Sequence, residues 1–585
     1  MEALERHNGH FYNWYDTLTG RPLPPKYIST VDSGNLAGHL VTLKNGCLET
    51  VDLPLFSPLL LQNLRDLIAL IRAEVEGLSE ERKGPLQAGQ RSTLDAIIAR
   101  TEAISVLLQP TPQSVIDWVA LTSSLVEPTV ELATVVRRLV GGRGWEKASD
   151  QSDTLPSHAA SSVEELSAWA DSLARAVRAL EQDIGNIVPW ATMLEAPPAL
   201  MTGGEHPDIA SHWASLKKLH APIPSLSANL AWCTHTLADI RRLRSRVRAA
   251  SLGEEGAAAV RWLERFSQRV SASWVASESL HTRLTGLAQR VNVLSDEMKF
   301  GFLYDEGRKL FSIGFNVDEL RRDNSYYDLL ASEARLASYL AVARGEVPQA
   351  HWFRLGRPIT GQGRNMALIS WTGTMFEYLM PNLVMPTYTG SLLEQTCGAM
   401  TLYQEHYGRQ RAIPWGISES AYNALDQSGN YRYRAFGLAE LGLKRGLSDD
   451  LVISPYSSQL ALPIAPAKAL ANLRRLSALG LEGHYGFYDA IDFTRSRLAP
   501  GQKGAVVATY MVHHLGMGLV ATNNFLNGDP MVRRFEAEPH VRATLLLLQE
   551  RIPREAPEIE PHPVPVDRDR NWHEETPPIV RNYST

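Results

Sequence analysis

Between residues 55 and 295, apolar side chains recur at every third or fourth position, as in Leu59, Leu60, Leu61, Leu64, Leu67, Ile68, Leu70 and Ile71. That spacing places them on one stripe of a 3.6-residue turn and is the signature of amphipathic helices. Polar or proline-rich breaks near 80–90, 141–160, 193–208 and 220–226 divide the stretch into about six long helices. Capping-box patterns open two of them, Ser162 with Glu165 and Ser251 with Glu254. A block with this regularity packs helix on helix. It reads as a helical insertion that spaces and docks, with no site of its own.

The flanks differ. Residues 1–54 are rich in aromatics and glycine, with Phe11, Tyr12, Trp14 and Tyr15 followed by Asp32-Ser33-Gly34-Asn35 running into a small-residue helix. Residues 296–550 alternate helical stretches (326–344, 390–407, 466–479 and 505–526) with loops carrying Gly, Pro, Trp and Tyr, without sustained β-alternation. Helix hairpins with functional loops gathered at one end suit an α/α toroid, and a general helical bundle fits nearly as well. The expected class is therefore all-α, with residues 1–54 and 296–550 forming one domain around the helical insertion. Residues 551–585, rich in proline from Pro553 to Pro578, read as a linker toward a following domain.

Composition narrows the function classes. Hydrophobic residues at 44% and charged residues at 21% describe a globular chain. A formal net charge of −6 gives no general pull toward nucleic acid or anionic lipid. No uncharged apolar run approaches the roughly 20 residues that span a bilayer, and the N-terminus lacks a basic, apolar signal pattern. Cys47, Cys233 and Cys397 are widely spaced, as reduced cytosolic thiols are, and form no zinc pattern.

Three segments place acids among aromatics and glycines: Trp371 to Glu377, Pro414 to Glu419, and Tyr485 to Asp492. Aromatic rings cover the apolar faces of sugars, carboxylates take their hydroxyls, and glycosidic bonds are cut by paired carboxyl groups. Three such segments together point to a carbohydrate-active site. Glu419 leads, in a loop after Pro414-Trp415-Gly416 with Ser418 and Ser420 available as donors; its other reading is a capping or salt-bridging carboxylate. Glu377, beside Phe376 and Tyr378, is a second catalytic candidate or else a buried carboxylate tied to an arginine. Asp489 is the third, or a residue that hydrogen-bonds a loop amide.

Trp14, Tyr326, Trp352, Trp371, Trp415 and Tyr485 are candidate stacking platforms, although a tryptophan is more often core. Asp32 and Asn35 bind hydroxyls or cap the helix that follows them. Asp492 is a lesser candidate. His513 and His514 point about 100° apart on a helix, so they do not share one metal ion; one of them is a candidate for a sugar hydroxyl. No metal and no cofactor is expected. Gly361-x-Gly363-Arg364 and Gly501-x-x-Gly504 lack the context of a phosphate loop and read as turns.

Taken together, several runs resemble the middle, glucoamylase-like domain of bacterial cyclic β-1,2-glucan synthases. They are Gly9 to Asp16, Val31 to Gly38, Phe315 to Asp318, Ser325 to Arg335, His351 to Pro358, Met375 to Pro381, Trp415 to Asn423, and His513-His514 with Gly516-Met517. The resemblance spans nearly the whole chain and is weakest in the 55–295 block. It implies an (α/α)6 barrel that cuts linear β-1,2-glucan internally and closes it into a ring by retaining intramolecular transglycosylation. It also implies covalent partners, a membrane-embedded glycosyltransferase part and a phosphorylase-like part of the same synthase, and a place on the cytoplasmic side of the bacterial inner membrane. Retention calls for two carboxyls roughly 5–5.5 Å apart. At Asp489 the family pattern carries glutamate, so this chain departs from it there. An endo-β-1,2-glucanase, or a module that only grips and measures glucan, are the alternatives.

Overall fold

The computed structural model describes residues 1–80, 88–140, 163–194, 196–203, 205–218, 223–361, 365–483 and 485–552. Helix accounts for 60% and strand for 10%, so the helical class holds, with short strands added to it. The chain divides into two compact units, one from residues 1–46 and 288 onward, the other from residues within 47–287. It passes between them inside α1 (Thr30–Asp52) at Gly46/Cys47 and inside the 45-residue helix that ends at Glu297 at Leu287/Ala288.

The unit within residues 47–287 is built from α2 (Pro58–Glu80), α3 (Ala88–Leu107), α4 (Val115–Val140), α5 (Val163–Ile187), α6 (Pro207–Lys218), α7 (Leu226–Ala249) and most of α8 (Gly253–Glu297). The heptad-like spacing explains it directly. Val163, Leu166, Ala170, Leu173, Ala174, Val177 and Ile184 are the buried positions of α5, and this stripe packs on α4 and α2. Trp118, Trp190, Trp213, Trp262 and Phe266 fill the core. Within it Asn229 Nδ2 donates to Ser277 Oγ at 2.9 Å and to Ser273 Oγ at 3.2 Å. In α4, Val115–Leu139 is long and apolar enough to cross a membrane by length and composition; it carries Pro128, and its Trp118, Leu125, Leu132 and Val136 lie in the core of this unit.

The other unit holds short helices between loops: α9 (Arg335–Ala343), α10 (Ala350–Arg354), α11 (Met375–Leu379), α12 (Leu392–Gln410), α13 (Pro455–Leu460), α14 (Pro466–Ala478), α15 (Val512–Asn527), α16 (Pro530–Glu536) and α17 (Pro539–Thr544). Small antiparallel sheets trim the loops. Two of them matter for the site: the hairpin Ser420–Leu425 with Tyr431–Arg434, and the sheet Val452–Ile453, Ala490–Asp492, Ala505–Val507. The hairpin turn forms because Asp426 Oδ1 accepts from the N–H groups of Ser428 (2.8 Å) and Asn430 (2.9 Å), with Gly429 at φ 82°.

Three helical expectations need correction. Residues 326–344 are not one helix: Tyr326–Tyr327 is a strand, the Asp328 carbonyl and Leu330 N–H bond to Gly356, and helix begins only at Arg335. Residues 505–526 split because Ala505–Val507 pairs with Ala490–Asp492. Ser251 sits at φ 52°, outside α8, so it does not open that helix. Ser162, Gly363, Arg364 and the proline-rich 553–578 stretch lie outside the described residues. Gly361 and Gly501 adopt φ of 87° and 85°.

Close helix contact sets a test. A Cβ added at Gly34 in α1 would lie 2.3 Å from Ala337 Cβ in α9. At Gly286 in α8 it would meet nothing within 4 Å. Chemical unfolding is expected to show Gly34→Ala destabilising by about 1–3 kcal/mol. Gly286→Ala should stabilise by about 0.4–1 kcal/mol.

Candidate active site

Glu377 is set by local chain chemistry. Thr374 caps α11 by accepting from Glu377 N–H at 3.1 Å, and the Glu377 carboxylate folds back onto the Thr374 N–H at 3.2 Å, completing a capping box. Oε2 also accepts from Ser370 Oγ at 2.7 Å, and Oε1 from Thr372 N–H at 3.1 Å. Among the described residues no arginine holds this carboxylate. Buried Arg335 instead donates to the Glu377 carbonyl (3.0 Å), to the Tyr378 carbonyl and to Asn382 Oδ1 (3.0 Å), fixing the backbone of α11. Burial raises the Glu377 carboxyl pKa, against the pull of its donors.

Glu419 is brought beside Glu377 by the loop before the hairpin. Met375 N–H donates to the Ile417 carbonyl (3.3 Å) and Phe376 N–H to Ser418 Oγ (3.0 Å). Ser418 and Ser420 do not hold the carboxylate: Ser418 Oγ is taken by Phe376 and Tyr456, and Ser420 Oγ is buried with no hydrogen-bond partner among the described residues. Tyr433 holds it. Strand register pairs Tyr433 with Ala421, and the phenol lies 3.2 Å from Glu419 Oε2. Tyr456 OH donates to the Glu419 carbonyl at 3.0 Å. Burial first, then repulsion from Glu377, pushes the Glu419 carboxyl up to about 7, and the Tyr433 bond opposes this.

A third carboxyl, Glu333, completes the group. It lies in the turn before α9, where Ser332 Oγ accepts from Ala334 N–H at 3.1 Å. Burial, then repulsion from Glu377 and Glu419, raises it to about 8. Sequence reasoning missed it because Ser332 to Arg335 reads as helix interior; its place inside the motif run Ser325 to Arg335 was the available signal. Asp32, exposed in the first turn of α1, adds negative charge that raises Glu419, Tyr433 and Tyr327. Ser29 Oγ accepts from Asp32 N–H at 3.2 Å, so Asp32 does not cap the helix. Asn35, one turn on, has a buried Oδ1 with no hydrogen-bond partner among the described residues.

Asp489 reaches this group through others. Its Oδ1 lies 2.6 Å from His514 Nδ1, and its Oδ2 accepts from Ala421 N–H at 2.7 Å. His514 Nε2 and His513 Nε2 lie 3.2 and 3.3 Å from Tyr433 OH. Burial pushes His513 down to about 4, so it is neutral.

The remaining candidates separate by exposure. Trp371 is 44% exposed, beside the loop that holds Glu377, with Nε1 donating to Asp328 Oδ1 at 2.7 Å. Trp14 and Tyr485 are 69% and 72% exposed, and the Tyr485 ring meets that of Tyr510 edge-on at 5.7 Å. Tyr326 hydrogen-bonds Asp305 Oδ2 (3.0 Å) and one face is covered by Arg308. Trp352 and Trp415 are corrected to core: Trp352 is fully buried edge-on to Tyr339, and Trp415 is buried with its backbone clamped by Asn472. Asp492 is corrected to a structural acid, fully buried and paired with Arg497 at 2.7 Å. A separate cavity of about 690 Å³, lined by Asn382, Tyr388, Glu394, Cys397, Arg533 and Glu536 among others, contains none of the clustered carboxyls.

Residues 325–537, which carry all of these groups except Asp32 and the N-terminal candidates, match the family model described as putative glucoamylase. The chain is also 34% identical over 567 residues, 95% of its length, to the cyclic beta-(1,2)-glucan synthase NdvB of Rhizobium meliloti (strain 1021). It spans 16% of that protein's length.

The enclosed carboxyls predict a pH-dependent cost. At pH values well below 4.5, Glu333 is protonated whether the chain is folded or not. Between there and about 8 the unfolded chain ionises and the folded one does not, so stability falls as pH rises. Unfolding free energies at pH 5 and pH 8 should show Glu333→Gln gaining on wild type by more than about 1.4 kcal/mol, the worth of a tenfold change in proton affinity.

Proposed function

We propose, taking residues 325–537 as a glucoamylase-like domain and the chain as the counterpart of one portion of a longer synthase, that it cuts linear β-1,2-glucan and closes it into a ring. The observation that carries this reading is the trio Glu333, Glu377 and Glu419: burial raises all three, and repulsion from Glu377 adds to it at Glu333, to about 8, and at Glu419, to about 7. Two carboxyls that differ in this way supply an acid and a nucleophile within one site. The glucoamylase-like match also supports reading the helices from α9 onward, with α1, as an (α/α)6 barrel.

In this mechanism Glu333, protonated at neutral pH, gives its proton to the leaving glycosidic oxygen. Glu419, steadied by Tyr433, attacks the anomeric carbon and forms a glycosyl-enzyme bond. The now ionised Glu333 then takes the proton from a hydroxyl at the far end of the same glucan, whose oxygen displaces Glu419. Both carboxyls return to their starting states, and one ring is released with no net water consumed. Glu377 stays in its capping box and supplies repulsion that raises its neighbours. Trp371, exposed next to that box, offers a ring face to a bound glucose unit.

Incubation of the chain with linear β-1,2-glucan, followed by mass analysis, tests the reading. Products one water lighter than their linear counterparts are expected. Shorter linear fragments alone would show a hydrolase, and unchanged glucan a module that only binds. Glu333→Gln and Glu419→Gln should each lower ring formation by about 10²–10⁴-fold.

A further inference from the structure

Behind Glu419 and Tyr433 lies a pair of polar groups, Asp489 and His514, that the cutting reaction leaves unused. Asp489 is anchored twice, its N–H donating to the Thr509 carbonyl at 2.9 Å and its Oδ2 accepting from Ala421 N–H at 2.7 Å. Its remaining oxygen meets His514 Nδ1 at 2.6 Å, with both side chains nearly inaccessible to solvent. The Tyr456 ring stacks on His514 at 3.9 Å and 13°, fixing the imidazole plane. That leaves His514 Nε2 facing Tyr433 OH at 3.2 Å, and the same hydroxyl faces Glu419 Oε2 at 3.2 Å.

A phenol has one proton, so it cannot donate to both sides. With Nδ1–H committed to Asp489, and with a neutral His513 able to donate from Nε2 to the Tyr433 oxygen at 3.3 Å in either case, two arrangements satisfy every contact of this hydroxyl. Either Glu419 is protonated and donates to Tyr433, which donates to a neutral His514, or His514 is an imidazolium that donates to Tyr433, which donates to an ionised Glu419.

We propose that Asp489, His514 and Tyr433 form a proton relay in which His514 stores the proton that Glu419 gives up, so that Glu419 stands ionised before it meets substrate. The Glu419 proton passes to the Tyr433 oxygen as the Tyr433 proton passes to His514 Nε2. Charge on Glu419 goes from 0 to −1 and on His514 from 0 to +1, with no outside donor or acceptor. Asp489 offsets the imidazolium charge, while Glu377 and Asp32 disfavour charge on Glu419 and Lys444 favours it. His513, on the same helix with its ring 4.1 Å from that of His514, is paired with no carboxylate among the described contacts and stays neutral, so it does not compete for the proton. These three are positioning residues. They act on sugar only through Glu419, and the relay rests on the proposed role of Glu419.

Tyr433→Phe is the main test, since the side chain is 39% exposed and losing one hydroxyl spares the fold. Glu side-chain carboxyls labelled with ¹³C are titrated by NMR, with Glu419 identified by the signal lost in Glu419→Gln, alongside the pH profile of glucan turnover. In Tyr433→Phe and His514→Gln the Glu419 titration and the acid limb of turnover should both move up by about one pH unit or more, with turnover recovering toward wild type at high pH. An unmoved Glu419 titration in Tyr433→Phe, or turnover reduced equally at every pH, would overturn the relay. A shifted titration in a protein that does not turn over glucan would uphold the relay and reject the glucan reading instead.

Discussion

Carboxyl groups withdrawn from water resist ionisation, the more so beside another carboxyl, and that is the constraint on which this site depends. Glu377 is tied down by its capping box and by Ser370 and Thr372, so its position is fixed by the same bonds that start α11. Burial raises Glu333 and Glu419, and repulsion from Glu377 adds to it at both. The outcome is two carboxyls that release protons near neutrality instead of near pH 4.5. A residue whose local role is to cap a helix thereby tunes two others.

The scaffold delivers these groups from distant parts of the sequence through backbone bonds. Glu333 precedes α9, Glu377 opens α11, and Glu419 ends the loop that bonds to α11 through Ile417 and Ser418. The Ser420–Arg434 hairpin contributes twice. Its register sets Tyr433 beside Glu419, and its Ala421 N–H holds Asp489. Short strands thus do the aligning inside a largely helical unit, and the helices carry the core through Trp352, Tyr339 and Tyr378.

The 55–295 helices were legible because one physical rule, the 3.6-residue stripe, governs them, and α5 buries the positions that rule selects. Glu419 and Glu377 stood out because acids among aromatics and glycines are chemically unusual, and the structure does bring these two together. Glu333 did not stand out, since its surroundings have helical spacing and the bonds from Gly356 that break the helix come from far along the chain. Tyr433 was hidden for a related reason: only strand register makes it a neighbour of Glu419. Trp352 and Trp415 show the converse failure. Aromatic type says nothing about which way a ring faces, and both are spent on packing.

The central claim is that Glu333 is a neutral carboxylic acid at pH 7 beside a more acidic Glu419. Infrared difference spectroscopy of the carboxylic-acid carbonyl stretch, comparing wild type with Glu333→Gln across pH, tests it most directly. The account predicts a protonated-carboxyl band at pH 7 that is missing in Glu333→Gln and titrates away near pH 8. A wild-type spectrum at pH 7 with no such band, or a band that Glu333→Gln leaves unchanged, would contradict it.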